Sequence, residues 1–67
     1  MHKYRIDEWV LYNQFPDANT ERLRRGKRAV ILDHIGANRY VIYVDDPDLD
    51  EKWRIKKVNE AELESTN

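Results

Sequence analysis

The chain has no cysteine in its 67 residues, which excludes disulfide staples and thiolate metal sites and leaves the redox compartment unread. It has two glycines, Gly26 and Gly36, too few and too far apart for the usual phosphate-cradling loops. Hydroxyl nucleophiles are as sparse: Thr20, Ser65 and Thr66 are the whole supply. Two of them fall in a segment, residues 64–67, that reads as a frayed tail, so nucleophilic hydrolysis is disfavoured. No apolar run approaches the roughly 20 residues that span a bilayer, and the opening Met-His-Lys-Tyr-Arg-Ile-Asp-Glu lacks the apolar core of a secretory signal. The expectation is a soluble, cytoplasmic protein without a membrane partner.

Metal and cofactor signatures are also missing. His2 and His34 have no partners at zinc-motif spacing, and His34, beside an expected hairpin turn, reads as a solvated side chain. Asp46, Asp48 and Asp50 alternate as calcium-loop ligands do, but the run has no glycine for the sharp turn, and Lys57 stands where a bidentate glutamate is needed. A solvated acidic turn that blunts a strand edge is the better reading. A domain of 67 residues has little room for an enclosed, mostly apolar pocket. Hence no enzyme activity, no cofactor, no metal and no small-molecule substrate are expected.

What the chain does have is charge in blocks. Residues 21–28, Glu-Arg-Leu-Arg-Arg-Gly-Lys-Arg, carry +4; residues 45–51, Asp-Asp-Pro-Asp-Leu-Asp-Glu, carry −5; the remainder cancels to leave −1. A dedicated nucleic-acid domain usually shows an uncompensated basic face, whereas this chain has two poles. If the poles lie close together, they suit a two-sign protein-docking surface; if far apart, the basic run is free to grip phosphates.

The apolar pattern is that of strands. Tyr4, Ile6, Val10 and Tyr12 stand at even spacing within residues 4–12, which predicts a first strand with one buried face. Residues 13–26 read as a long loop, in which one helical turn would tuck Leu23 against Phe15 and end at a left-handed Gly26. Residues 27–35 and 38–45 form a hairpin signal around Gly36, Ala37 and Asn38, and Pro47 ends the second run. A fourth strand is expected at 52–57, followed by a short turn that Asn59 starts and Leu63 closes onto the core. The sum is an all-β fold, a single domain over 1–67, in which a small barrel of about five strands hides its own edges.

Four segments carry a likeness: Asp7-Glu8-Trp9-Val10-Leu11-Tyr12, Gly26-Lys-Arg-Ala-Val-Ile, Tyr40-Val-Ile-Tyr-Val-Asp-Asp and Glu60-Ala-Glu-Leu-Glu. In their order the chain resembles the SH3-like barrel superfamily, in its small prokaryotic and phage-type versions and its Tudor and KOW relatives. Asp7 takes the place of the glycine usual in the opening turn, and Ala29 that of a second glycine. The resemblance implies a binding module and leaves its ligand open.

Alternation assigns Ile6, Val10, Tyr12, Ala29, Ile31, Tyr40, Ile42, Val44, Trp53, Ile55, Val58 and Leu63 to the core. The opposite faces of the same strands then carry Trp9, Leu11, Val30, Leu32, Val41 and Tyr43, far from the polar exterior of an ordinary half-exposed sheet. Either the long loop or the N-terminal residues fold over this second face, or the face is an interface. The sequence thus points to a small regulatory or inhibitory protein of bacterial or phage type. Its expected partner is a protein, with a homodimer included, recognised through Trp9, Leu11, Val41 and Tyr43. The alternative is a nucleic-acid-binding barrel that uses Arg22, Arg24, Arg25, Lys27 and Arg28 on phosphates.

Overall fold

Five short antiparallel strands make one sheet in the computed structural model of the chain, which describes residues 2–13 and 26–66. They are β1 (Trp9–Tyr12), β2 (Lys27–Gly36), β3 (Arg39–Val44), β4 (Ile55–Asn59) and β5 (Leu63–Ser65), in the spatial order β4-β3-β2-β1-β5. The fold is all-β, with one helical turn, α1 (Glu51–Arg54), before β4 and a 3-10 turn (Glu60–Glu62) after it. Runs of β-branched and aromatic residues, Trp-Val-Leu-Tyr, Ala-Val-Ile-Leu and Tyr-Val-Ile-Tyr-Val, supply the strands. Ala37 and Asn38 turn the β2–β3 hairpin, and Pro47 and Asp48 sit in the turn that follows β3.

The sheet cannot be flat. Strands β4 and β5 are four inter-strand steps apart, about 19 Å in a flat sheet, yet only Glu60, Ala61 and Glu62 join them. Four Cα–Cα steps reach at most about 15 Å, so the sheet rolls until its ends approach. The turn that brings them together is held by a reciprocal cap. The Asn59 side chain accepts the Glu62 N–H, and the Glu62 carboxylate accepts the Asn59 N–H at 2.7 Å.

The rolled interior holds Tyr4, Val10, Tyr12, Ala29, Ile31, Tyr40, Ile42, Val44, Val58 and Leu63, all buried. They stack in cross-strand rows: Val10 beside Ala29 beside Val44, Ile31 beside Ile42, Tyr40 beside Val58, and Tyr12 beside Leu63.

Three residues expected inside are outside. Ile6 lies in the turn that precedes β1, and Trp53 lies in α1. Ile55 pairs with Tyr43, an outward position, because the β4 register sets Val58 opposite the inward Tyr40. The first strand is also shorter than expected. Residues Arg5–Glu8 form a tight turn, closed by Glu8 N–H donating to the Arg5 carbonyl at 3.1 Å, with Asp7 at φ 70°. That left-handed position is the one glycine fills most easily. Residues 52–54 belong to α1 rather than to the fourth strand. Glu64 and Ser65, expected to fray, pair with Leu11 and Val10.

Gly26 does not act as a left-handed stop, since no described glycine has positive φ. It is needed for closeness: a Cβ there would stand 2.8 Å from Leu11 Cβ and 3.0 Å from Asn13 Oδ1. The helical turn with Leu23 and Phe15, and the greater part of the long first loop, lie outside the described residues.

Candidate interaction surface

The outward positions of β1 to β4 fall into register. Trp9 pairs with Val30, Val30 with Tyr43, and Tyr43 with Ile55, so one apolar row crosses four strands on the solvent side. Trp9 is 43% exposed and Ile55 54%, while Val30 and Tyr43 are half-buried between them. Trp53, in α1 two residues before Ile55, is 58% exposed. Leu11, half-buried, follows Trp9 on the same face of β1, and Val41 precedes Tyr43 on the same face of β3. The four residues expected to meet a partner, Trp9, Leu11, Val41 and Tyr43, therefore share one face.

Expectation missed Ile55 on this surface and the exposure of Trp53, having assigned both to the core. A signal was present: with Val58 inward, period-two alternation sends Ile55 outward. Leu32 is the extra residue of a bulge, because Ile31 pairs with Ile42 and Asp33 with Val41. It remains 39% exposed.

One end of each charge block reaches this face. Ala29 pairs with Val44, and the next residues continue the ladder, with Asp45 N–H donating to the Arg28 carbonyl at 2.7 Å. The last cation of the basic run and the first carboxylate of the acidic run are thus cross-strand neighbours. The Arg28 guanidinium lies over the Trp9 ring, 4.9 Å from its centroid. Lys52 Nζ lies 5.6 Å from the Trp53 centroid. Arg54 donates from Nη1 to the Tyr43 hydroxyl at 3.3 Å and from Nε to the Leu49 carbonyl at 3.0 Å. Tyr43 above all, and then Glu51 and Asp45, favour its charged form. Of the residues proposed for phosphate contact, Lys27 and Arg28 open β2 and are exposed; Arg22, Arg24 and Arg25 lie outside the described residues.

A second cluster, at the other end of β2, serves the fold. The β2 bulge reverses the alternation and turns His34 inward, opposite Tyr40. His34 is therefore half-buried rather than solvated, and its Nε2–H donates to the Tyr4 carbonyl at 2.7 Å. The His2 ring stacks on it with centroids 4.0 Å apart and planes 4° from parallel, while its own Nε2–H donates to the Gly36 carbonyl. Both rings meet Tyr40 edge-on. The Tyr40 hydroxyl donates to Glu60 Oε1 at 2.5 Å and accepts the Tyr4 N–H at 3.2 Å. Burial, then this bond to Glu60, raises the Tyr40 phenol above its ordinary range. The same bond, then the Lys3 N–H at 3.1 Å, lowers the Glu60 carboxyl. An open groove of about 600 Å³ beside this cluster is lined by Lys3, Asn38, Asn59 and Glu60 among others. Two of its polar residues serve the turn and the N-terminal arm: Glu60 N–H donates to the Asn38 carbonyl while its carboxylate accepts the Lys3 N–H, and Asn59 holds the cap. Among the described residues no three His, Asp or Glu side chains gather to hold a metal ion.

No protein-family model, no curated protein and no solved structure matches the chain.

Proposed function

We propose that the chain is a binding module that recognises a protein surface through the outer face of its sheet. The row Trp9–Val30–Tyr43–Ile55 carries this reading, because it sets two aromatic anchors, Trp9 at one end and Tyr43 within, in one apolar strip. Burying one large apolar side chain is worth roughly 1.5–3 kcal/mol, so leaving several in water is a driving force held for association. The rim carries both signs, Arg28 beside Asp45, which suits a partner with an apolar patch flanked by one acid and one base. Five antiparallel strands with a 3-10 turn between the last two support the resemblance to SH3-like barrels, a group of binding modules.

The nucleic-acid reading draws support from the Arg28–Trp9 stack, a cation over an aromatic platform. The neighbouring acidic run weighs against it, since a carboxylate well within a Debye length of about 8 Å blunts phosphate attraction.

The test is a photo-reactive phenylalanine analogue placed at Ile55, irradiated in a lysate of the source cells with and without nuclease. The expected result is an adduct to a protein, a second copy included, that survives nuclease and is lost in Trp9→Ala and Tyr43→Ala but kept in Ala61→Ser. An adduct that disappears with nuclease would establish the nucleic-acid reading instead. No adduct of either kind would refute both.

A further inference from the structure

The apolar row of the outer face runs out at a sheet edge. Its last member, Ile55, is 54% exposed, and its strand β4 has a neighbour, β3, on one side only. The 3-10 turn ties the Asn59 end of β4 to β5, but the two strands do not run side by side. The ladder settles which backbone groups face the open side. Glu60 N–H donates to the Asn38 carbonyl, so Asn38 and Glu60 form a hydrogen-bonded pair, and alternation extends this to Tyr40 with Val58 and Ile42 with Lys56. The intervening residues Ile55, Lys57 and Asn59 point their carbonyls away from β3. Asn59 N–H is taken up by the Glu62 carboxylate. The Lys57 N–H and carbonyl and the Ile55 carbonyl have no partner among the described residues.

The same stretch is a block of charge. Residues 52–57, Lys-Trp-Arg-Ile-Lys-Lys, hold four cations and no anion. Arg54 is engaged with the Tyr43 hydroxyl and the Leu49 carbonyl, and Lys52 lies near the Trp53 ring. The ammonium groups of Lys56 and Lys57 have neither a hydrogen bond nor an ion pair among the described residues. Lysine on an open edge bars it from pairing with a second copy, since an antiparallel pair centred on Lys57 would set like charges face to face. It admits an acidic strand.

We infer that the open edge of β4 takes an extended acidic segment of another protein, which lengthens the sheet by one strand. In an antiparallel register the residue opposite Lys57 gives and takes a backbone hydrogen bond there, and the residue two further on donates to the Ile55 carbonyl. The segment so recognised carries one acid opposite Lys57, a second opposite Lys56, and a large apolar side chain opposite Ile55 that extends the row Trp9–Val30–Tyr43–Ile55. A phosphodiester backbone would answer the lysines but has no N–H for the Ile55 and Lys57 carbonyls; a peptide answers both. The added strand touches β4 alone, so the roll of the sheet does not oppose it. The inference rests on the reading of the outer face as a protein-recognition surface and names the chemistry of what meets its β4 end.

The experiment titrates the full chain with a fluorescent peptide, Thr-Val-Glu-Glu-Ile-Thr-Val, and follows amide exchange by NMR. In the free chain the Lys57 amide should exchange fast while those of Lys56 and Val58 are protected, and the peptide should protect Lys57. N-methylation of the first glutamate or of the isoleucine removes an N–H aimed at β4 and should weaken binding about fivefold to tenfold, whereas at the second glutamate, whose N–H points away, it should change binding less than about twofold. The double variant Lys56→Glu, Lys57→Glu should lose this peptide and bind its Lys-Lys-Ile counterpart; if that variant fails to fold, the methylated peptides still test the wild-type chain. No binding at about 1 mM peptide, indifference to the position of the methyl group, or a Lys57 amide already protected in the free chain would overturn the inference. A single-stranded oligonucleotide that binds where the peptide does not would assign the lysines to phosphate and overturn it as well. If the peptide fails while the Ile55 photo-adduct to a protein still forms, the edge fails and the recognition face stands. If neither forms, both fail.

Discussion

Replacing Tyr40 by phenylalanine removes one oxygen atom from the place where three segments of chain meet. Tyr40 is fully buried. Its hydroxyl accepts the Tyr4 N–H at 3.2 Å, fixing the N-terminal arm to β3, and donates to Glu60 Oε1 at 2.5 Å, fixing the turn between β4 and β5. The ring stays in place in Tyr40→Phe, so no cavity opens, and the loss is one of hydrogen bonding alone. A buried N–H left without an acceptor costs about 1–3 kcal/mol, and the loss of the donor to Glu60 pushes the total toward the top of that range. A domain of 67 residues is stable by about 3–10 kcal/mol at the usual 0.05–0.15 kcal/mol per residue, so the change removes a large share. With a urea slope of about 1 kcal/mol/M for a protein this small, the unfolding midpoint should fall by about 1–3 M. Hydrogen exchange adds a local signature: the Tyr4 amide should lose more protection than amides of the β2–β3 hairpin. A midpoint shift under about 0.5 M, or equal loss of protection at all amides, would refute the placement of Tyr40 as the tie between arm and turn.

The Glu60 carboxyl, lowered first by the Tyr40 hydroxyl and then by the Lys3 N–H, should stabilise the fold fully above its ordinary value near 4.3 and lose that contribution as pH falls through its lowered folded value. Urea midpoints of wild type and Glu60→Gln should therefore differ at neutral pH and converge in acid; a constant gap would contradict this. At Asp7, φ 70° predicts stability in the order Gly at or above Asp, and both above Val, with Asp7→Val costing about 1–2 kcal/mol in thermal unfolding. Ile31→Ala, inside the sheet, should cost about 2–5 kcal/mol, whereas Ile55→Ala, measured in dilute monomer, should cost less than about 0.5 kcal/mol. Equal costs would show that β4 faces the other way.

Several elements were readable from local chemistry. Alternation of branched and aromatic residues located the hairpin strands, Asn59 and Leu63 marked a short turn, and the odd positions Trp9, Leu11, Val41 and Tyr43 declared a second apolar face. The lack of cysteine excludes disulfides and thiolate metal sites. Other features depend on pairing between distant segments. The bulge at Leu32 exists only against β3, and it alone carries His34 inward to Tyr40. The phase of β4 is set by hydrogen bonds to β3, which turn Ile55 out to extend the apolar row. The distance between the charge blocks, seventeen positions apart from Arg28 to Asp45, became a single cross-strand step once β2 and β3 folded together. Composition and periodicity by themselves determined that this chain makes short strands, has two apolar faces and carries two charge poles. Which residues of those faces stand side by side, and which ends of those poles touch, was decided by register, a property that a strand acquires only from its neighbour.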